Sequence, residues 1–212
     1  MKVWIVCTGE AQAPGRCTGA EFEAWMAAAP EREPPPYADK PMQGEGQTVL
    51  VPPGLAARRT AEQLFPGAEL REEPLLAPIP ERAFRAGGLS LPFRLWRQMA
   101  KLQRNAADPR QPESRRQALE RVERLITRLE TEGDRHTLVA DTALAELLMD
   151  RLRLHSCSFA RTGLLRLRPY ERILATGRDL HCGGCQHNCF LSSPGCGIGR
   201  DKAARLKQGY KA

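Results

Sequence analysis

The sequence predicts an α/β fold: a three-layer α/β/α sandwich with a mostly parallel sheet, followed by a small C-terminal metal knuckle. Three observations predict it. The chain opens on an apolar run, Val3-Trp4-Ile5-Val6, that ends in the small polar turn Cys7-Thr8-Gly9-Glu10. A short continuous apolar run bounded in this way reads as a buried parallel strand. Comparable runs at Thr48–Val51 and His136–Asp141 each lead into an amphipathic segment, the alternation from which parallel sheets are built. Finally, Cys182, Cys185, Cys189 and Cys196 fall within fifteen residues near the C-terminus.

Length and composition fit this class. A chain of 212 residues holds one domain with a full core and an appendage. The expected division is residues 1–177 for the α/β domain and 178–212 for the knuckle and a basic tail. No apolar run approaches the roughly 20 residues of a membrane span, and the N-terminus reads as a strand rather than a signal peptide. The expected location is therefore cytoplasmic, with no membrane partner. The net charge of +7 raises the question of nucleic acid. Because the Arg residues are spread along the chain among Glu residues, solvated helix faces are the favoured reading.

In chain order, Ala11–Gly19 is a Gly/Pro loop. Ala20–Ala29 carries Phe22, Trp25 and Met26 at helical spacing and stops at Pro30. Glu31–Gly46 is polar and Pro-rich, hence a loop. Thr48–Val51 is a strand, Leu55–Leu64 a helix, and Pro66-Gly67 its end. Arg94–Gln103 reads as a basic helix and Asp108–Pro112 as a linker. Ser114–Glu132 sets Leu119, Val122, Leu125, Ile126 and Leu129 on one face, with Gly133 as its stop. After the strand His136–Asp141, Ala143–Arg153 buries Leu144, Leu147 and Leu148. Leu164–Leu167 and Arg172–Ala175, on either side of Arg168-Pro169-Tyr170, read as a hairpin. Met99 and Met149 are expected in the core, with Met42 anchoring its loop. His136 and His155 read as surface or capping residues. In open α/β sheets ligands bind at the C-terminal ends of the strands, so Cys7–Glu10 should line any pocket.

The opening strand resembles that of the histidine phosphatase (phosphoglycerate mutase-like) superfamily, which reads apolar-apolar-Arg-His-Gly-Glu. Gly9 and Glu10 match, while Cys7 stands at the Arg position and Thr8 at the His position. The resemblance continues at Pro52-Pro53-Gly54-Leu55-Ala56-Ala57-Arg58-Arg59-Thr60-Ala61, where the phosphate-gripping Arg falls on Ala56. Arg58 points away, and Arg59 is a poor stand-in. Leu75-Leu76-Ala77-Pro78 resembles the segment carrying the general-acid Glu, with Ala77 in its place, and Leu91-Pro92-Phe93-Arg94-Leu95-Trp96 follows the same branch. Asp141 stands where the family has its second His. The resemblance implies a phosphatase scaffold whose reactive positions, Cys7, Thr8, Ala56, Ala77 and Asp141, are vestigial. Phosphoryl transfer depends on positioning and positive electrostatics, so it implies a pseudoenzyme with no catalytic residue. Cys7 lacks the Gly-rich, Arg-closed loop of a thiolate nucleophile and reads as structural.

The segment His181–Gly197 lies beyond that scaffold. Its Cys-x2-Cys-x3-Cys-x6-Cys spacing lets Gly183-Gly184 and Ser192-Ser193-Pro194-Gly195 turn four thiolates onto one ion. A structural or sensing zinc ion held by Cys182, Cys185, Cys189 and Cys196 is the first reading. An iron–sulfur cluster with a redox role is the alternative, and disulfides or unligated thiols come last. His181 or His187 could replace one thiolate. Arg200–Lys207 reads as a short basic helix. With Phe190 and Tyr210 the sole aromatics nearby, a solvated tail is preferred over RNA or DNA binding. The expected partner is an unidentified protein.

Overall fold

The computed structural model of the chain describes residues 1–38, 41–42, 46–133, 135–154, 157–161, 167 and 169–177. Its centre is a six-stranded sheet. The first strand, β1 (Lys2–Cys7), lies in the interior of the sheet. It pairs in parallel with β6 (Arg135–Ala140), in the register Val3↔His136, Ile5↔Leu138 and Cys7↔Ala140. Beyond β6 come β3 (Thr48–Val51) and then β4 (Glu69–Glu72), both parallel to their neighbours. On its other side β1 meets β8 (Arg172–Gly177) antiparallel, and β8 pairs antiparallel with β7 (Cys157–Arg161). The order is therefore β4-β3-β6-β1-β8-β7. A two-residue ladder of β2 (Arg16–Cys17) with β5 (Leu91–Pro92) stands apart.

The period-2 alternation of the strands sorts their side chains onto two faces. Val3, Ile5 and Cys7 of β1, Leu138 and Ala140 of β6, and Leu50 of β3 share one cluster with Val122, Leu125, Ile126 and Leu129. Those four belong to α4 (Arg115–Glu132). Leu144, Leu148 and Leu152 of α5 (Thr142–Leu154) complete it. Val6, Val49, Val51 and Val139 point the other way, onto Ala57, Ala61 and Leu64 of α2 (Leu55–Leu64). Helices thus cover both faces, and the expected three layers are present. A third cluster joins α1 (Gly19–Ala28) to α3 (Phe93–Asn105) through Phe22, Phe93 and Trp96. The Trp96 indole donates to the Cys17 carbonyl at 2.9 Å.

Several boundaries have visible causes. Thr18 and Ser114 each close a reciprocal capping box, with Glu21 and Gln117 respectively. The helix stops before Pro30 as expected: α1 ends at Ala28 with Ala29 as its cap. Pro30 sits inside a 3₁₀ turn, Ala29–Glu31, that follows α1 and needs fewer backbone donors. Two expectations are corrected. The partner of β8 is Cys157–Arg161 rather than Leu164–Leu167: Leu167 is not in a strand, and residues 164–166 lie outside the described residues. Met99 is half-buried rather than in the core, whereas Met149 is buried and the Met42 N–H donates to the Leu64 carbonyl at 2.7 Å. Among the described residues no helix is long and apolar enough to cross a membrane.

Candidate functional site

The loops at the C-terminal ends of β1, β3 and β6 enclose a pocket of 530 Å³, within the range of small-molecule sites. β1 delivers Thr8, Gly9 and Glu10, the entry to α2 delivers Pro53 and Ala56, and β6 delivers Asp141. Of the five positions that the resemblance singles out, the structure brings three together here: Thr8, Ala56 and Asp141. Cys7 is not among the lining residues. It is fully buried with its side chain in the α4/α5 core, which corrects the expectation that it lines the pocket; an in-register strand turns alternate residues to opposite faces. Ala77 also falls outside the lining. Its carbonyl accepts from Arg121 Nη1 at 2.7 Å, which ties it to α4, and the following residues, Pro78–Arg82, reach the pocket instead.

The strand end is built tightly. The Gly9 N–H donates to Thr60 Oγ1 at 3.0 Å, and the Thr60 hydroxyl donates to the Ala56 carbonyl at 2.7 Å. A side chain at Gly9 would meet the Tyr170 ring, whose hydroxyl donates to the Pro35 carbonyl and to Gln63 Oε1 at 3.2 Å. Thr8 is 8 % exposed, and its hydroxyl oxygen is buried with no hydrogen-bond partner among the described residues. Arg59 is exposed, pairs with Glu33 and Glu62 and is not among the residues that line the pocket.

The charged groups of the floor form a linked set. Glu81, buried in the Pro-rich loop, receives Arg97 Nε at 3.3 Å and Arg104 Nη1 at 3.3 Å. Arg97 also reaches Glu10, at 3.8 Å. Glu10 Oε1 in turn accepts from the Thr142 hydroxyl at 3.1 Å, at the start of α5. Burial pulls the Arg97 pKa down, yet Glu81, Glu10 and Asp141 together hold it above its ordinary value. Asp141 shows the opposite balance. Burial pushes its pKa up, the Leu144 N–H and Arg97 pull it down, and Glu81 and Glu10 push it up again.

Asp141 also has a structural task. Its Oδ1 accepts from the Leu144 N–H at 2.5 Å and its carbonyl accepts from the Ala145 N–H at 2.9 Å, the pattern of a helix N-cap. The helix entry where an anion would otherwise settle is taken by the protein's own carboxylate. Arg32, Arg82 and Arg97 line the pocket beside Glu10, Glu23, Glu81 and Asp141, and the entry to α2, which has no side-chain cap, also favours an anion. Such an end is worth roughly 0.3–1 kcal/mol. Against it, each carboxylate about 4 Å from a bound negative charge costs on the order of 4 kcal/mol near a protein surface.

No family model and no curated protein matches the chain. Among solved structures, the chain is similar to a protein named as a candidate alpha-ribazole-5'-P phosphatase of Escherichia coli strain K-12 substrain MG1655. The two are 17 % identical, the match covers 72 % of this chain and 79 % of that one, and the TM-score is 0.39.

The residues that sequence reasoning missed are Glu81, Arg97 and Arg104. Arg97 and Arg104 are seven apart on α3 and so share a face. That spacing was a readable signal, but nothing in the sequence says that Glu81 folds back onto it. The cysteines Cys182, Cys185, Cys189 and Cys196, the zinc or iron–sulfur site expected on them, and the basic helix Arg200–Lys207 lie outside the described residues. Among the described residues no group of three or more His, Cys, Asp or Glu is arranged to hold a metal ion. Cys7 and Cys17 are buried.

Proposed function

We propose that this chain is a non-catalytic member of the histidine phosphatase type, with a scaffold or regulatory role, and that residues 178–212 carry a four-cysteine zinc site. One observation carries the reading. The pocket at the strand ends holds Thr8, Ala56 and Asp141 where a phosphatase needs two His and an Arg, and Arg97, one of the arginines that line it, is engaged by Glu10 and Glu81. A phosphoryl group arriving there finds no histidine among the lining residues to accept it and meets carboxylates as well as arginines, so the positioning and positive electrostatics that phosphoryl transfer needs are not assembled.

The test is a phosphatase assay over generic and sugar phosphates, run beside metal analysis of aerobic and anaerobic preparations. Absence of turnover and one zinc per chain, lost when Cys182 and Cys185 are replaced by Ser, is the expected result. Turnover abolished by substitution of Thr8 or Cys7 would refute the non-catalytic reading. A brown anaerobic preparation with visible absorbance would replace zinc with an iron–sulfur cluster and scaffold with electron transfer.

A further inference from the structure

The two faces of the sheet are unequally covered. On the α4 and α5 side, Ile173 and Ala175 of β8 are fully buried in one cluster with Val3, Ile5 and Cys7 of β1. On the other side α2 covers β3, β6 and the end of β1, and its cluster takes in Val6 but neither Trp4 nor any residue of β8. Trp4 stands opposite Leu174 in the ladder of β1 with β8, so the two share this second face. Trp4 is 36 % exposed, Leu174 is half-buried, and neither belongs to a core cluster among the described residues. Lys2, Arg135 and Arg172 lie around them on the same face, and none of the three has an ion-pair partner among the described residues. An apolar centre with a charged rim is the pattern of a contact surface.

The chain itself supplies an occupant. Thr176 of β8 pairs with Lys2 at the start of β1, so the chain leaves the sheet at the end away from the pocket. Gly177 is three residues past Leu174, about 10 Å at the rise of a strand. Residues 178–212 follow, and from Asp179 to Gly199 they include no Lys or Arg. Phe190-Leu191 lies between Cys189 and Cys196 in that stretch. A zinc ion held by four thiolates is net anionic, so the stretch joins an apolar pair to negative charge, the complement of the uncovered face. We propose that residues 178–212 dock on this face, with Phe190 and Leu191 against Trp4 and Leu174 and the zinc–thiolate unit among Lys2, Arg135 and Arg172. The charge match rests on the four-cysteine zinc reading.

The test uses the full chain. Its metal content is measured, Trp4 is labelled with hydroxyl radicals, and tandem mass spectrometry places the label. One zinc per chain and slow labelling of Trp4 are expected. Labelling should rise severalfold in Phe190→Ser with Leu191→Ser, and again in Lys2→Glu with Arg172→Glu. Neither pair includes a proposed metal ligand, so zinc content should stay unchanged in both, and thermal melts show whether the fold is kept. Trp4 labelling that neither folded pair changes, with zinc still bound, overturns the docking and leaves the zinc site in place. A wild-type chain without metal overturns both, because the charge match is then gone. Protection of Trp4 that falls on dilution assigns the face to a second copy of the chain and also overturns the proposal.

Discussion

Replacing Glu81 by Leu should strongly destabilise the protein. The Glu81 side chain is 4 % exposed and that of Arg104, 3.3 Å away, is 6 % exposed. Removing the carboxylate leaves the Arg104 guanidinium in the interior without a counter-charge, a loss of about 3–5 kcal/mol. That is a large part of the roughly 5–15 kcal/mol available to a domain. Arg97, with one-third of its side chain exposed and Glu10 still beside it, adds little, because a solvent-screened charge loses less when its partner goes. The cause is a stranded charge rather than a lost attraction, so a second substitution should repair it. Glu81→Leu combined with Arg104→Met should recover about 2 kcal/mol or more, since apolar groups can replace a buried pair at little cost. Urea unfolding followed by far-ultraviolet circular dichroism gives both numbers. A single-variant loss under about 1 kcal/mol, or a double variant no more stable than the single one, would refute the argument.

Gly9→Ala should lose about 1–3 kcal/mol by forcing the new methyl group into the Tyr170 ring, and Tyr170→Ala should relieve part of that loss; equal effects in both backgrounds in urea titrations would contradict the clash. Ser114→Ala removes one half of the capping box on α4 and should cost about 1 kcal/mol, whereas Ser114→Asp should hold stability nearly constant in the same measurement. Asp141 has a raised folded-state pKa. Its ionised form is therefore penalised by folding, and the penalty is present at neutral pH and fades as pH falls through that raised value. Asp108 is held at about 2 by Arg110, so its contribution is present above the ordinary Asp value and is lost as pH falls toward 2. Urea midpoints of the wild type and Asp141→Asn across an acid pH series should show the variant's relative advantage shrinking as pH falls; a gap that stays flat would sink this reading of Asp141.

The elements with an internal apolar core were legible, and those set by exposure or by distant partners were not. Thr48–Val51 and Leu55–Leu64 coincide with β3 and α2 because the strand is bounded by Pro52-Pro53 and the helix has a clear apolar face. β4 was missed because Glu69–Glu72 is an exposed edge, where pairing to β3 rather than burial makes the strand. The first arm of the C-terminal pair was misplaced because Leu164–Leu167 is the more apolar run, while Cys157–Arg161 is selected by its register with β8. At the site, Thr8 was legible from its place at the end of β1, whereas Ala56 and Asp141 were reached through the family resemblance. Cys7 was assigned to the pocket by proximity in sequence, although the strand's own alternation sends it into the core.

The same fold can offer or refuse an anion without moving its backbone. Parallel strands that end beside helix entries create a cleft where backbone N–H groups and helix dipoles favour negative charge. Here the geometry is kept: β1, β3 and β6 end together, and α2 and α5 start beside them. What differs is the occupant of the α5 entry, where the Asp141 carboxylate takes the Leu144 N–H for itself, and the company of Arg97, which faces Glu10 and Glu81 before any ligand arrives. Reversing the preference should therefore need no new backbone. Asp141→Asn together with Glu10→Gln changes the lining from the carboxylates of Glu10, Glu23, Glu81 and Asp141 against Arg32, Arg82 and Arg97 to those of Glu23 and Glu81 against the same three guanidiniums. Phosphate affinity, measured at low ionic strength, should then be higher in the doubly substituted protein than in the wild type, and fade as salt is raised. If it does not, the cleft refuses anions for a reason other than its charges.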